Sequence, residues 1–434
     1  MTVSESKSSY AQQVRLSKAQ EVRLGWVEAL RARALKAFDE KGFPDKSWES
    51  WRYFTPSKLL SSAFEKPVPA ELLSKEDPIF AGARCRIVFV DGLFSPKLSS
   101  QAPGNVDFSE LWSGLFNHPE LETRLGRDLD KEDNPFSLIN TFAFEDGALI
   151  MLPSGRQALE PLHLFFFTTG TRGPVASVPR ILLVAEEGAE VAVVARFYGG
   201  NHGQNSFENA VAEIYADAGA RVRWTNLQIQ ENESGSLFLQ TRAYLKEKAE
   251  LDMVTVTRGR EITRNEIRAE LEGPGAQCRI SGLSVLSGRS QAHQALSVLH
   301  RSPGAVSRQI YKNLLDGQSR AEFNSLAEVC PGAQKSDSHQ LNKNLLLSDD
   351  ARVYSRPKLK IYADDVQAAH GSATGQADPG ELFYLRSRGL DLRTARFVLA
   401  YGFAEEILSL IPEKEVRAEI EASVKNAVHA MVRG

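Results

Sequence analysis

The sequence predicts a mainly β fold, a parallel β-helix that lies between an N-terminal and a C-terminal α-helical region. Three observations support this prediction. Short β-rich runs begin near Gly147 and continue for over two hundred residues without helical blocks between them. A small residue recurs at regular intervals inside this region. Helical periodicity is found before and after it, so we predict three regions, at residues 1–145, 146–372 and 373–434.

The composition is that of a soluble globular protein with two or three hydrophobic cores. The 434 residues are 42% apolar and 25% charged, with a net charge of −3. This charge lacks the basic excess of a protein that neutralises many phosphates, so nucleic acid is not expected as the main partner. The N-terminus is polar and the apolar runs are too short to span a bilayer, which predicts a cytoplasmic protein.

The three cysteines, Cys85, Cys278 and Cys330, are far apart and form no CxxC pair. Their odd number disfavours a disulfide framework and favours a reducing compartment. Each lies within or just after a β-prone run, where a lone thiol usually acts as a packed hydrophobe. A four-cysteine zinc or iron–sulfur site cannot be built from three thiols, so any such site would have to be shared with a partner.

The N-terminal region begins with apolar residues at helical spacing from about Tyr10 to Asp39, and the glycine and proline of residues 42–44 end this pattern. The aromatic segment at 48–53 is expected to pack in a core rather than to bind a ligand. Further along the chain, Cys85–Val90 is typical of a strand, and an Asp-Gly turn follows it.

The central region contains a repeated corner, in which an alanine comes just before a β-prone run. These alanines are separated by 31, 29, 27 and 29 positions, and they are Ala189, Ala220, Ala249, Ala276 and Ala305. A small residue at a recurring tight turn suits a solenoid, in which each coil buries its apolar face against the next coil. We therefore favour a parallel β-helix, and a stacked β-sandwich is the alternative.

The C-terminal region is predicted to contain three helices. Asp378 and Pro379 have the types of an N-cap and a first helical residue, and Gly389 is placed to end that helix. A second helix should follow Asp391, with a broad apolar content, and Pro412 closes it. The last helix is predicted over 415–432. These helices are expected to cover the open end of the β-helix.

Motifs of common enzyme mechanisms do not occur in the chain. It contains no P-loop, GxGxxG, GxSxG or HExxH, and its eight histidines include no i, i+4 pair for a metal on a helix. This pattern is consistent with a non-catalytic scaffold.

Among the histidines, His370 stands out because it lies between the β run of residues 359–362 and a small-residue turn, in a loop that could present an imidazole to another subunit.

The C-terminal hundred residues carry motifs that resemble the signature of the SufB/SufD family of iron–sulfur cluster assembly proteins. The motifs are AQKSDSHQLNKNLLLS at 333–348, RPKLKIYADDV at 356–366, His370-Gly371, FYLRSRG at 383–389, Ala395-Arg396 and GFAEE at 402–406. Weaker similarities, NAVAEI at 209–214 and VDGLFS at 90–95, extend the resemblance over nearly the whole chain.

The resemblance implies a right-handed parallel β-helix with helical regions at both ends, in agreement with the repeat. It also implies partners, since family members pair a SufB-like with a SufD-like subunit through their β-helices, and each C-terminal helical region docks a SufC-type ABC ATPase. The candidate ATPase-docking residues are Arg396, Phe403, Glu405 and Glu406. An isolated chain could also form a homodimer.

Within the family the chain resembles the SufD type, because it is short, has few cysteines and reads His370-Gly371 where SufB chains typically read His-Glu. The resemblance implies that His370 ligates a nascent iron–sulfur cluster that is held transiently at the interface with the SufB-like subunit. Many SufD chains have a cysteine two positions earlier, where this chain has Ala368. A flavin on the complex would fit the resemblance, but no feature of this chain supports it.

Two alternatives stay open at this point. A SufB-type or self-pairing homodimeric scaffold would carry the same motifs. A β-helical carbohydrate-active enzyme would display carboxylates along a groove, but it would be secreted, and the C-terminal motifs have no place in it.

Overall fold

The chain forms a parallel β-helix with helices packed on two of its faces. A computed structural model describes residues 24–432, except 55, 57–58, 61, 63, 65–73, 101–105, 170–172, 200–205 and 231–233. Successive strands alternate between two sheets, so each coil adds one strand to each sheet. The prediction of a parallel β-helix between two helical regions is confirmed, and the alternative of a stacked β-sandwich is wrong.

The first sheet is parallel except for the hairpin of its first two strands. Its strands, in spatial order, are β2 (Leu93–Phe94), β1 (Cys85–Val90), β5 (Leu162–Thr168), β8 (Glu190–Gly199), β10 (Arg221–Ile229), β12 (Glu250–Arg258), β14 (Gln277–Leu286), β16 (Val306–Leu315), β18 (Asp337–Leu346) and β20 (Gln367–Gly375). The predicted strand at residues 85–90 is confirmed, and it begins this sheet inside the predicted N-terminal region.

The second sheet runs along the opposite wall and is parallel except where β3 meets β4. Its strands are β3 (Asp107–Glu110), β4 (Gly147–Leu152), β7 (Arg180–Ala185), β9 (Phe207–Ala216), β11 (Ser236–Leu245), β13 (Ile262–Leu271), β15 (Gln291–His300), β17 (Arg320–Val329) and β19 (Arg352–Ile361), with the short β6 (Ala176–Ser177) beside β9. The predicted boundaries between the three regions remain a prediction.

The repeated corner has the backbone conformation that its small residues suggest. All five corner alanines are fully buried. The residue before each alanine has a left-handed backbone, with φ of 66° at Gly188 and 68° at Gly219, Gly275 and Gly304. Lys248 takes the same conformation at φ 52°, although its Cβ makes this costly. The periodicity in the sequence therefore marks one tight turn per coil.

The N-terminal helices cover the outward face of the second sheet. They are α1 (Gly25–Lys41), α2 (Leu111–Asn117) and α3 (Pro135–Ala143). The part of the predicted first helix before residue 24 lies outside the described residues, and its predicted end before Gly42 is confirmed. Trp51 of the aromatic segment is 1% exposed and packs against Phe136 and Phe238, so it lies in the core as predicted.

The C-terminal helices are α4 (Pro379–Ser387), α5 (Leu392–Leu408) and α6 (Lys414–Met431). Asp378 caps α4, as predicted, by accepting hydrogen bonds from the amides of Gly380 and Glu381. The second helix follows Asp391, as predicted, and Asp391 caps it by accepting a hydrogen bond from the amide of Thr394. The expectation that these helices cover the open end of the β-helix is wrong. Instead, α5 and α6 bury their apolar faces against outward-facing residues of the first sheet, because those positions are apolar from β8 to β18.

Candidate functional site

The last coil of the β-helix ends in two strands with free edges. Within the described residues, β20 pairs only with β18, and β19 pairs only with β17. Most residues of β20 are exposed, whereas alternate residues of β18 are buried. Unpaired N–H and C=O groups along such edges form a template for a strand of another chain. This end of the molecule therefore offers two edges on which a partner strand can pair.

His370 lies on β20 with an exposed side chain, at the mouth of the lumen between the two sheets. It is the register partner of Gln340, whose side chain points inward and is 2% exposed. Two residues further along the strand, Ser372 contacts Ser355 of the opposite wall at 2.9 Å between hydroxyl oxygens, which shows that this set of positions faces the lumen. The sequence predicted that His370 lies in a loop. In the structure the loop ends before β20, and His370 lies on that strand.

The lumen changes from apolar to polar as it approaches this mouth. One column of register partners starts with Met253 and Ile280 and then continues with Gln309, Gln340 and His370. A parallel ladder places corresponding residues on the same face of the sheet, so the column is continuous. Side chains below the mouth are therefore of the kind that can hydrogen-bond to a polar occupant.

No cysteine side chain stands beside His370 among the described residues. Its near neighbour Ala368 belongs to a column that passes through Ser338 and Ser307 down to Cys278, three strands away. Cys278 is 1% exposed, and burial raises the pKa of its thiol to about 12, so the thiol stays protonated at neutral pH. The columns below His370 and Ala368 therefore offer no exposed thiol, and Cys330 packs in the cluster that contains Val366.

A cluster of three carboxylates in another part of the described structure does not offer an alternative iron–sulfur site. Glu132, Asp133 and Glu266 lie close enough together for their oxygens to surround an ion. However, Arg242 already pairs with Glu132 at 2.8 Å and with Glu266 at 2.9 Å. All three are oxygen donors, whereas iron–sulfur clusters are held by sulfur and nitrogen.

The edge strand β19 is held in place from its outward side. Arg356 pairs with Glu322 of β17 at 2.7 Å, and Glu322 also bonds to His293 at 2.9 Å. Burial would raise the pKa of Glu322, but its bonds to His293 and Arg356 bring it below its ordinary value. The carboxylate is therefore charged at neutral pH, and it ties the last two strands of this wall together.

The four predicted docking residues on α5 do not form one exposed surface. Arg396 is exposed. Glu405 accepts a hydrogen bond from the hydroxyl of Tyr401. The carbonyl of Phe403 accepts one from Lys312 of β16 at 3.0 Å, and Glu406 pairs with the same ammonium group. Phe403 and Glu406 therefore anchor α5 to the β-helix.

A different apolar surface lies at the other end of these helices, and the sequence analysis did not assign it. Helix α4 contributes no buried residue. Phe383 is 74% and Tyr384 57% exposed on α4, and Leu392 and Val398 are more than 40% exposed on α5. We call these four residues the α4 patch. Aromatic residues in a capped helix normally indicate a core, so the sequence offered no signal that they face outward.

None of the helices in the described part of the chain is both long and apolar enough to cross a membrane.

Known proteins resemble this chain over most of its length. The SufBD core domain, described as SUF system FeS cluster assembly, matches residues 166–403. The chain is 30% identical over 399 residues to an iron–sulfur cluster assembly SufBD family protein of Synechocystis, covering 88% of this chain and 86% of the relative. It is 28% identical over 390 residues to the iron–sulfur cluster assembly protein SufD of Escherichia coli, covering 88% and 89%. The residues matched by the SufBD core domain include His370 and Phe403, and they end before Glu406.

Proposed function

We propose a function that starts from one fact: the chain belongs to the SufBD family of SUF-system iron–sulfur cluster assembly proteins. In this proposal the chain is a SufD-type, non-catalytic scaffold subunit of a SufBCD-type complex. It pairs with a SufB-like subunit and docks a SufC-type ABC ATPase. The iron–sulfur cluster is its transient cargo.

The observation that carries the proposal is the position of His370. Its imidazole is exposed at the mouth of the lumen and sits on a strand whose outer edge is unpaired among the described residues. A partner that extends the sheet would bring its own side chains to within bonding distance of this ring. Imidazole and thiolate both ligate iron, so His370 and a partner cysteine would form a shared site. A site divided between two subunits can release its cargo when the subunits move.

Pairing through the open end is supported by the free edges of β19 and β20. A SufB-like β-helix would continue both sheets and remove the two edges, which otherwise favour aggregation. In the absence of that subunit, a second copy of this chain could occupy the same edges and form a homodimer.

Docking of the ATPase is supported by the α4 patch. The patch consists of four large apolar side chains exposed on two consecutive helices, and a concentration of exposed apolar side chains often marks a protein-binding surface. Arg396 is exposed on the neighbouring helix and could contribute a charge at the edge of the contact. ATP binding would close the two docked ATPase subunits together. It would act on the scaffold because the open and closed states bind with different affinities.

In this proposal the protein works in the cytoplasm, which is a reducing compartment. All three cysteines are free thiols. Cys85 and Cys278 are buried, and burial raises the pKa of both thiols, so they act as packed apolar groups. The proposal includes no flavin.

The experiment that tests this function compares two histidine variants in a complex formed with SufB- and SufC-type subunits. His370→Ala should leave the complex intact but lower the cluster yield several-fold, measured as iron and acid-labile sulfide per complex and by visible absorption. His339→Ala is the matched control, because His339 lies on the neighbouring strand, is also exposed, and points outward. A normal cluster yield from His370→Ala would contradict the role of this residue.

A further inference from the structure

The residue directly below His370 has an unused hydrogen-bond acceptor. Gln340 is 2% exposed and is the register partner of His370 on the adjacent strand. Its side-chain nitrogen donates to the carbonyl oxygen of Lys358, on the opposite wall, at 3.2 Å. This bond fixes the orientation of the amide. The amide oxygen is buried, and no described residue donates to it.

Gln309, one coil further down, is also held by the opposite wall. Its oxygen accepts a hydrogen bond from the hydroxyl of Ser325 at 2.5 Å, so its nitrogen is left as a donor without a partner among the described residues. This nitrogen could turn towards Gln340, but an amide oxygen has two lone pairs and can accept a second donor from above. The column thus offers an acceptor to His370 in either case.

A histidine that ligates a metal through one ring nitrogen carries a proton on the other. That N–H almost always donates to a carboxylate, a carbonyl or water, and this bond fixes the tautomer and the direction of the ring. His370 stands on the strand next to Gln340, on the same face of the sheet, and its side chain has a similar reach. Gln340 therefore supplies an acceptor of the required kind at the neighbouring position on the same face of the sheet.

We propose that Gln340 is the positioning residue for His370: its amide oxygen accepts the Nδ1–H of the imidazole and directs Nε2 out of the mouth, towards the partner subunit. This inference rests on the proposed function, because orienting His370 serves cluster binding only if His370 is a cluster ligand. The structure contains no bond between these two side chains, and the proposed hydrogen bond forms in the isolated chain when the exposed imidazole turns towards the amide oxygen. In this arrangement Gln340 orients the imidazole of His370 but does not itself bind the metal.

The test measures the tautomer of His370 by ¹⁵N NMR of the isolated chain labelled at histidine, at an alkaline pH where histidines are neutral. The signals of His370 are assigned by their loss in His370→Gln. The wild type should show the Nδ1–H tautomer in large excess, and Gln340→Leu should show a mixture of both. Gln294→Leu is the control, since Gln294 is equally buried and also has an unpartnered oxygen, but it lies lower in the lumen. It should leave the signals of His370 unchanged.

A second measurement separates this proposal from the proposed function. In the complex, Gln340→Leu should shorten the lifetime of the bound cluster by about tenfold, the order of effect known for residues that orient metal-bound histidines. If the tautomer changes but the lifetime does not, the positioning role stands and the ligand role of His370 fails. An unchanged tautomer in Gln340→Leu overturns the proposal. Should that variant not fold, Gln340→Asn replaces it, because its shorter side chain withdraws the oxygen while keeping a polar group.

Discussion

Tyr53 stacks on Tyr354 with ring centroids 4.1 Å apart and ring planes 13° from parallel, so the N-terminal region covers the outward face of the edge strand β19. The guanidinium group of Arg356 lies 4.9 Å from the centre of the Tyr53 ring and donates to the carbonyl of Glu49 at 3.3 Å. A segment from the start of the chain thus holds the strand that ends the second sheet, next to the proposed partner surface.

Removing this stack should loosen the last coil. Tyr53→Ala should lower the free energy of unfolding by about 1–2 kcal/mol, because an aromatic pair contributes about 0.5–1.5 kcal/mol and the cation–π contact adds to it. Urea titration of Tyr53→Ala, Tyr354→Ala and the double variant gives the coupling energy. Tyr384→Ala is the control, since that tyrosine is 57% exposed on α4. A coupling energy near zero would show that the stack does not hold the strand.

The ion pair between Lys312 and Glu406, which anchors α5 to the β-helix, should stabilise the fold in a pH-dependent way. The hydrogen bond from the buried Lys312 lowers the pKa of Glu406 below its ordinary value of 4.5. A carboxyl group whose folded pKa is lowered stabilises the fold above its ordinary pKa, and this contribution is lost as the pH falls through the folded value. The wild type should therefore exceed Glu406→Gln in unfolding free energy at pH 7, by about 1 kcal/mol or less because the carboxylate is half exposed.

Urea titrations of both proteins between pH 7 and acid pH check this expectation. The difference in unfolding free energy between the wild type and Glu406→Gln should stay constant down to about pH 4.5, near the unperturbed glutamate pKa. It should shrink at lower pH. Glu381→Gln is the control, because Glu381 is exposed on α4. A difference that does not change with pH would mean that the ion pair is not the anchor.

The α4 patch should be necessary for ATPase docking. Replacing Phe383 and Tyr384 together by serine should weaken the binding of the SufC-type subunit by at least about tenfold, since a central aromatic residue of an interface often contributes about 2 kcal/mol or more. Stability should not change, because both side chains are already exposed. Calorimetry with the purified subunits measures the affinity, and deletion of the chain from residue 378 onward should abolish binding.

Phe116→Ser provides a matched control for the patch. Phe116 is 67% exposed on α2, far from the C-terminal helices in the sequence, and its replacement should leave ATPase binding unchanged. Equal losses in this variant and in the α4 variant would indicate a general effect of apolar surface. Full binding by the α4 variant would move the docking site elsewhere.

The corner of the coil at Lys248 should become more stable with glycine. Lys248 has φ of 52°, while the equivalent residues of neighbouring coils are glycines. Relief of the left-handed strain should raise the free energy of unfolding by about 1 kcal/mol in Lys248→Gly. Lys246→Gly, at a nearby position that lacks this conformation, should destabilise the protein. If both variants lose stability equally, the corner is not under strain.

The features that could be predicted from the sequence are local ones. The corner alanines repeat because every coil turns in the same way, and Asp378 and Asp391 cap helices through amides two or three residues away. The family motifs identified the region that contains His370. In each of these cases the determining interaction lies within one turn or one coil of the chain.

The features that were missed depend on distant partners. The docking role predicted for Glu406 stays a prediction, but the sequence did not indicate that a lysine 94 residues earlier pairs with its carboxylate. The helices after residue 378 were expected to close the lumen, yet the outward face of the first sheet is apolar and buries them instead. Apolar content shows that a helix is buried, but it does not show which surface it meets.

The scaffold function is best tested by the native mass of the assembly that purifies with this chain after co-expression with SufB- and SufC-type subunits. We expect one complex that contains all three subunits, and the chain alone should give a homodimer or a monomer. Loss of the SufC-type subunit, but not of the SufB-type subunit, in the Phe383 and Tyr384 variant would place the two contacts where we propose. If the chain purified alone and bound neither subunit, the scaffold function would be contradicted.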